Sequence, residues 1–226
     1  MAEMPPNSGE DWGLGSLIRH WQRQLSVPLR EEARISDGIT TRLVRSEGVP
    51  VEWATTPGLL IQATIVVFGD KTNEGPLVEG VAIPWLEILR EISRDPNFLF
   101  TVPWRTLEEL IAGAYKREGW PEVVLTPRSG DKGRDVIATR PGIGSIRILD
   151  QVKAYAPDRK VPASDVRELL GVLALDQNVS KGIVTTTSTF APGVEDEMKA
   201  FIPYRLELKN GRVLHEWLTG LMRHKG

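Results

Sequence analysis

The stretch Ser129-Gly130-Asp131-Lys132-Gly133-Arg134-Asp135 is followed, sixteen residues after its last aspartate, by Gln151-Val152-Lys153. Between the two lies the turn dipeptide Pro141-Gly142, with apolar stretches on either side. Runs of apolar and β-branched residues around a Gly/Pro turn are typical of a β-hairpin. The sequence therefore predicts two paired strands, over 135–139 and 145–155, with a glycine-rich loop leading into the first.

Strand alternation decides which polar side chains of this hairpin can act together. Successive side chains point to opposite faces, so Gln151 and Lys153 share one face and Asp150 lies on the other, where we assign it no role. Asp135 begins the neighbouring strand, and we expect its carboxylate beside Gln151 and Lys153. With the Val152 carbonyl, the group has the oxygen ligands that Mg²⁺ prefers. A lysine next to such a metal can hold an attacking water or offset charge on a phosphate.

Helical and strand patterns alternate along the chain after residue 103. Helices are predicted over 106–117, 164–177 and 194–201 and up to Met222, and strands over 122–126, 181–186 and 204–209. Thr106 with Glu109 is predicted to form a capping box, Ser164 to cap the second helix, and Asn210-Gly211 to form a turn. This order indicates an α/β domain with a mixed central sheet flanked by helices.

The first of these helices offers a second carboxylate. On a helical wheel its apolar arc consists of Leu107, Leu110, Ile111, Ala114 and Tyr115. Glu108 falls at the edge of this arc, whereas Glu109 falls on the opposite side, where the capping box would use it. We therefore expect Glu108 to lean toward the sheet and to join Asp135 at the metal, and these two carboxylates to balance the charge of Lys153.

Residues 1–83 are predicted to form a smaller, β-rich region. A helical pattern over 12–25 precedes strand patterns over 41–44, 51–54, 59–68 and 77–83. Pro84 then starts a helix that is predicted to end at Ser93. We place the domain boundary between residues 83 and 84. The role of the N-terminal region stays open: it could read modified DNA, mediate oligomerisation, or sense a regulatory ligand or partner.

Charge is unevenly distributed along the 226 residues, whose net charge is −2. Residues 1–100 hold nine Lys/Arg and fourteen Asp/Glu, a balance of −5, while residues 101–226 hold nineteen and sixteen, a balance of +3. The stretch 128–160 holds eight basic residues against four acidic ones, which favours a local phosphate-binding surface. A solvated face without a partner fits the charge equally well. The candidate DNA contacts are Arg128, Lys132 and Arg134.

The chain contains no cysteine, which excludes disulfides and thiolate metal sites and fits a reducing cytoplasm. The first residues, Met1 to Pro6, lack the basic start and apolar core of a signal peptide. The longest apolar run, over 59–68, is interrupted by Gln62 and Thr64 and is too short to span a bilayer. We expect a cytoplasmic protein with no membrane partner.

Several segments, taken in order, resemble one protein family. They are Leu107-Glu108-Glu109-Leu110-Ile111-Ala112, Gly119-Trp120, Val124-Leu125-Thr126, Ser129 to Asp135, Gln151-Val152-Lys153 and Gly182-Ile183-Val184-Thr185-Thr186-Thr187-Ser188. Together they look like the Mrr-type catalytic domain of restriction endonucleases, within the PD-(D/E)xK nuclease superfamily. The resemblance covers about residues 85–222 and implies a restriction-endonuclease-like fold for residues 84–226.

The resemblance implies a role for each matching residue. Asp135 corresponds to the metal-binding aspartate, Lys153 to the catalytic lysine and Glu108 to the glutamate of the first helix. Gln151 stands where many superfamily members have Glu or Asp, and glutamine is the Mrr-type variant. Asp135, Glu108 and the Val152 carbonyl would hold Mg²⁺, for which Mn²⁺ could substitute, and Gln151 would orient the phosphate or complete the metal shell.

The implied function is a metal-dependent DNA endonuclease that cuts phosphodiester bonds in defence against foreign or modified DNA. A homo-oligomer is expected because one site cuts one strand. The chain departs from the family pattern at Lys132 and Leu107, where glycine and phenylalanine are common, and neither change removes a reactive group. Two alternatives stay open: a catalytically quiet DNA-binding or interaction module on a nuclease fold, and a nuclease effector gated by residues 1–83.

Overall fold

Seven strands form one mixed sheet within residues 63–127 and 133–222, the part of the chain that the computed structural model describes. The order in the sheet follows the order in the chain: β1 (Val66–Lys71), β2 (Pro76–Val81), β3 (Glu122–Leu125), β4 (Val136–Arg140), β5 (Ile146–Lys153), β6 (Lys181–Thr186) and β7 (Leu206–Lys209). Pairing is antiparallel from β1 to β5 and parallel from β5 to β7. The predicted hairpin is β4–β5, and β5 is the strand at which the direction of pairing changes.

Helices cover both faces of the sheet. They are α1 (Ile83–Arg94), α2 (Trp104–Arg117), α3 (Ala163–Leu175), α4 (Val194–Met198) and α5 (Gly211–Gly220), with a 3₁₀ helix over Pro96–Thr101. Buried side chains of α1, α2 and α5 form one apolar core, and those of α3 and α4 form a second. Along β5, Ile148 and Val152 pack on the first core and Leu149 belongs to the second, as alternation requires. This confirms the predicted α/β class with a mixed central sheet flanked by helices.

Two predicted helix caps are wrong. The helix α2 begins directly after Pro103, so Thr106 is buried inside its first turn and does not cap it. The helix α3 begins directly after Pro162, and Ser164 likewise lies inside the helix. Proline has a fixed φ and no N–H to satisfy, so it can set the start of a helix without a side-chain cap.

The last part of the chain also differs in detail from the prediction. Asn210 is the N-cap of α5, since its side chain accepts a hydrogen bond from the Val213 N–H at 3.0 Å. The strand predicted over 204–209 begins only at Leu206. After β7 the chain enters the helix α5 at Gly211, where a final helix was predicted.

The strands predicted over 59–68 and 77–83 correspond to β1 and β2, which lie at shifted positions. Thr72 closes the turn between them, because its N–H and its hydroxyl donate to the Gly75 carbonyl at 2.8 and 2.7 Å. The strand β2 pairs with β3, so β1 and β2 belong to the same sheet as the hairpin. They therefore extend that sheet on the N-terminal side of residue 83.

The domain boundary between residues 83 and 84 stays a prediction. The helix and the strands predicted before residue 55 lie outside the described residues. The helix predicted from Pro84 to Ser93 is confirmed as α1, with the proline in its first turn. None of the helices in the described ranges has the length and apolarity needed to cross a lipid bilayer.

A glycine in α2 reports on how closely the first core is packed. The indole N–H of the buried Trp85 donates to the Leu110 carbonyl at 3.0 Å, and a Cβ at Gly113 would lie 2.4 Å from that nitrogen. We expect Gly113→Ala to lower the free energy of unfolding by about 1–3 kcal/mol through overpacking. Gly171→Ala is the matched control, because Gly171 in α3 has open space and alanine there is expected to add about 0.5–1 kcal/mol. Urea unfolding measures both, and equal effects would contradict this packing.

Candidate active site

The hairpin brings Asp135 beside the middle of the Gln151-Val152-Lys153 segment. Asp135 lies immediately before β4, and its N–H donates to the Asp150 carbonyl at 3.1 Å. Its carboxylate oxygen Oδ2 accepts a hydrogen bond from the Val152 N–H at 2.6 Å. The carboxylate is thus held by the neighbouring strand at the level that strand alternation predicted.

Gln151 is the least satisfied polar side chain of this group. It is 2% exposed, and its amide oxygen Oε1 is buried without a hydrogen-bond partner. Leaving a buried acceptor unsatisfied costs about 1–3 kcal/mol, so a buried oxygen of this kind usually binds an ordered water or an ion. An amide oxygen is also a ligand that hard cations accept. The position therefore fits a metal ion or a metal-bound water.

The backbone supplies a third oxygen on the same side. The N–H and C=O of one strand residue point toward the same neighbouring strand, so the Val152 carbonyl faces the side where its N–H meets Asp135. No cluster of three or more His, Cys, Asp or Glu side chains suited to a metal occurs in the described ranges. A divalent ion here would be held by a mixed set of one carboxylate, one amide oxygen and one carbonyl, and the residues present fit that set.

Lys153 lies on the same face as Gln151 and is half-buried. Its ammonium nitrogen lies 3.9 Å from Oε2 of Glu168 in α3, a carboxylate that was not among the expected partners Asp135 and Glu108. Sequence reasoning missed Glu168, because on the helical wheel it lies away from the buried stripe of α3. Only the packing of α3 against the end of β5 reveals it.

Glu108 is buried, as expected, but its carboxylate is already paired. Oε2 accepts a hydrogen bond from Arg105 Nη1 at 2.7 Å, and the same nitrogen donates to the Thr126 carbonyl at 2.9 Å. The Thr126 hydroxyl in turn donates to the Asp135 carbonyl at 3.2 Å. Glu108 is therefore linked through Arg105 to the strand end that precedes Asp135, and its direct role at a metal stays a prediction.

Asp150 lies on the opposite face of β5 and is fully buried. Its Oδ2 accepts a hydrogen bond from the Tyr115 hydroxyl at 2.8 Å. Burial raises the pKa of Asp150 to about 6, while the nearby Lys209 ammonium acts in the other direction. The Lys209 ammonium itself lies 3.5 Å from the centre of the Trp217 ring. This cluster belongs to the first apolar core and lies on the other side of the sheet from Gln151 and Lys153.

The raised pKa predicts how stability depends on pH. The folded protein holds the Asp150 proton more tightly than an unfolded chain, whose aspartate titrates near 3.8. Below about pH 4 Asp150 stays protonated, and its ionisation costs no stability. Above about pH 6 the full cost applies, so the free energy of unfolding falls as pH rises between these values. A shift of about two units corresponds to about 3 kcal/mol.

Asp150→Asn tests this, since Asn keeps the acceptor for Tyr115 and cannot ionise. Between pH 4 and pH 7 we expect the wild type to lose up to about 3 kcal/mol of its free energy of unfolding compared with the variant. Chemical denaturation at several pH values measures it. Asp158→Asn, at an exposed position, should run parallel to the wild type. Parallel curves for Asp150→Asn would contradict the raised pKa.

Of the candidate DNA contacts, only Arg134 lies in the described residues, since Arg128 and Lys132 fall outside them. Its side chain is 18% exposed, and Nη1 lies 3.6 Å from Glu74 and 3.7 Å from Asp176. Glu74 also accepts a hydrogen bond from Arg147 at 2.6 Å. A phosphate reaching Arg134 would therefore compete with carboxylates that already contact it.

A mixed sheet with Asp135, Gln151 and Lys153 at two adjoining strand ends defines a restriction-endonuclease-like α/β fold. The family model described as Mrr_cat, restriction endonuclease, matches residues 99–218, more than half of the chain. The chain belongs to this family, and the predicted resemblance is confirmed. No curated protein matches the chain.

Two solved structures are similar to parts of the chain. One is the MspJI restriction endonuclease in complex with a 27-mer oligonucleotide, with 20% identity and a TM-score of 0.38, over 59% of this chain and 30% of that one. The other is AspBHI, a DNA modification-dependent restriction endonuclease, with 18% identity and a TM-score of 0.40, over 78% of this chain and 46% of that one. The chain thus spans less than half the length of each.

Proposed function

We propose that the chain is a metal-dependent endonuclease that hydrolyses phosphodiester bonds in DNA, in defence against foreign or modified DNA. One observation carries the proposal: the Asp135 carboxylate, the unsatisfied Gln151 amide oxygen and the Lys153 ammonium belong to adjoining strand ends in a member of a restriction endonuclease family. These are the groups that hydrolysis of a phosphodiester requires, namely metal ligands and a cation beside them.

Mg²⁺ is the proposed cofactor, with Mn²⁺ as a substitute. Asp135, the Val152 carbonyl and the Gln151 amide oxygen would hold it, and a bound ion would polarise the phosphate and lower the pKa of water. The Val152 N–H holds the Asp135 carboxylate in one orientation at 2.6 Å, which is the kind of support that tunes a metal ligand. Glu108 would contribute through Arg105, which ties α2 to the same strand end.

Lys153 has the chemical role in this proposal. Its ammonium group donates hydrogen bonds to the attacking water and offsets the negative charge that develops on the phosphate oxygens. Half-burial strengthens this interaction, because a charge acts more strongly where water is partly excluded. With its oxygen on the metal, Gln151 would orient the phosphate through its amide nitrogen Nε2, which lies next to Gly133.

The proposed partner is DNA. Arg134, together with Arg128 and Lys132, would contact backbone phosphates, which bind without reading sequence. Two copies of the chain would be needed to cut both strands, and we propose that it acts as a homo-oligomer in the cytoplasm. Residues 1–83 would select the DNA or respond to a ligand or partner.

Digestion of supercoiled plasmid tests the proposed function. Nicked and linear products should appear with Mg²⁺ or Mn²⁺ and disappear when a chelator is added. Plasmids with and without base modification distinguish the two kinds of target, and an RNA of the same sequence tests the preference for DNA. Binding of every DNA without cleavage in any of these conditions would reject the enzyme and favour a DNA-binding module.

A further inference from the structure

We propose that Glu168 is a further metal-binding residue of this site and that it supplies, from α3, the negative charge that the neutral Gln151 lacks. The proposal rests on the metal-dependent function proposed above and adds a residue to it. Glu168 lies outside the Asp135, Gln151 and Lys153 set and comes from a different element of the fold. It brings a second carboxylate to the same face of the sheet.

The Glu168 carboxylate lies close to Lys153 and to Gln151. Glu168 Oε2 lies 3.9 Å from the Lys153 ammonium nitrogen. Its other oxygen, Oε1, lies 3.5 Å from the point that a Cβ on Gly133 would occupy, and Gln151 Nε2 lies 3.1 Å from the same point. Glu168 Oε1 and the amide nitrogen of Gln151 therefore both lie near Gly133, two residues before Asp135 in the chain.

The amide oxygen of Gln151 also supports a ligand at this face of the sheet. Gln151 is 2% exposed and its Oε1 has no hydrogen-bond partner, and a buried acceptor of this kind usually binds a water or an ion. Asp135 together with neutral oxygens would bind a divalent ion weakly, and Mg²⁺ usually has one or two carboxylates. A second carboxylate near Gln151 would raise the affinity.

The other nearby carboxylate, Glu108, is less suited to this task. It is buried and makes a 2.7 Å ion pair with Arg105, which offsets its charge. Glu168 is 58% exposed in its side chain, so it can change rotamer at little cost. The Lys153 ammonium is its counter-ion, and a cation bound at the site would share that carboxylate.

Gly133 is consistent with this arrangement. It has a φ of +74°, a left-handed conformation that favours glycine, and a Cβ there would press on the Gln151 amide at 3.1 Å. Glycine places no side chain at the point that Gln151 Nε2 and Glu168 Oε1 both approach.

Calorimetric titration of the full chain with Mn²⁺, without DNA, tests the proposal. We expect Glu168→Gln to weaken Mn²⁺ binding by about tenfold or more. The double variant Glu168→Gln with Gln151→Glu should recover most of the affinity, because it returns one carboxylate to the same place. Glu197→Gln is the control, since Glu197 pairs with Arg167 on the surface and should leave the affinity unchanged.

The outcomes separate this inference from the proposed function. Wild-type affinity in Glu168→Gln, together with lost binding in Asp135→Asn, would overturn the role of Glu168 and leave the nuclease proposal intact. Weaker binding in Glu168→Gln that Gln151→Glu does not restore would also overturn it. No Mn²⁺ binding and no DNA cleavage by the wild type would overturn both. Thermal unfolding of each variant verifies that it is folded.

Discussion

Asp135→Asn is expected to reduce DNA cleavage by about 10³-fold or more. A metal supplies several kcal/mol of transition-state stabilisation, and each tenfold in rate corresponds to about 1.4 kcal/mol. Asn keeps an oxygen that can accept the Val152 N–H, so the strand end should stay in place while the charge that binds the cation is lost. Rates are measured with enzyme in excess over an oligonucleotide duplex, and Mn²⁺ affinity is measured separately.

Two further measurements make the Asp135 result specific. Asp158→Asn changes an exposed carboxylate in the loop after β5 and should cleave at the wild-type rate. The thermal unfolding midpoint of Asp135→Asn in the presence of a chelator should stay close to that of the wild type. Cleavage by Asp135→Asn within tenfold of the wild type would contradict its role as a metal ligand.

Lys153→Ala is expected to lower the cleavage rate by about 10²–10³-fold, the usual effect of removing one charge-stabilising donor from an active site. DNA affinity should change little, because Lys153 acts on the reacting phosphate and its water, and Mn²⁺ affinity should not fall, because the variant loses only a cation that pairs with Glu168. The measurement is the cleavage rate at saturating enzyme beside the dissociation constant for the same duplex.

Lys181→Ala is the matched control for Lys153→Ala. Lys181 opens β6, is also partly buried, and pairs with Glu207 in the same way that Lys153 pairs with Glu168. Its removal should leave the cleavage rate within a few-fold of the wild type. A loss of DNA binding in Lys153→Ala that accounts for the whole loss of cleavage would argue for a binding role and against a chemical one.

The hairpin and its site could be predicted because strand alternation has a fixed period. Gln151 and Lys153 are two residues apart and must share a face, and Asp150 must lie on the other. The strand β6 has the predicted bounds, Lys181 and Thr186. Local periodicity therefore identified the site-bearing strands.

Contacts between distant segments could not be predicted in this way. Glu168 faces away from the buried stripe of its own helix, so periodicity marks it as a surface residue. Glu74 contacts Arg134 and Arg147, which are far along the chain, and Arg105 of α2 donates to the Thr126 carbonyl. These pairs depend on how α2, α3 and the β1–β2 turn pack around the hairpin, and no local pattern encodes that packing.

The most direct test of the central claim is plasmid nicking by the wild type and Lys153→Ala, side by side in Mg²⁺ and in chelator. The account predicts nicked and linear plasmid only for the wild type with Mg²⁺, and intact plasmid for Lys153→Ala at a concentration where it still binds the DNA. Equal nicking by both proteins, or nicking by the wild type that persists in chelator, would contradict it.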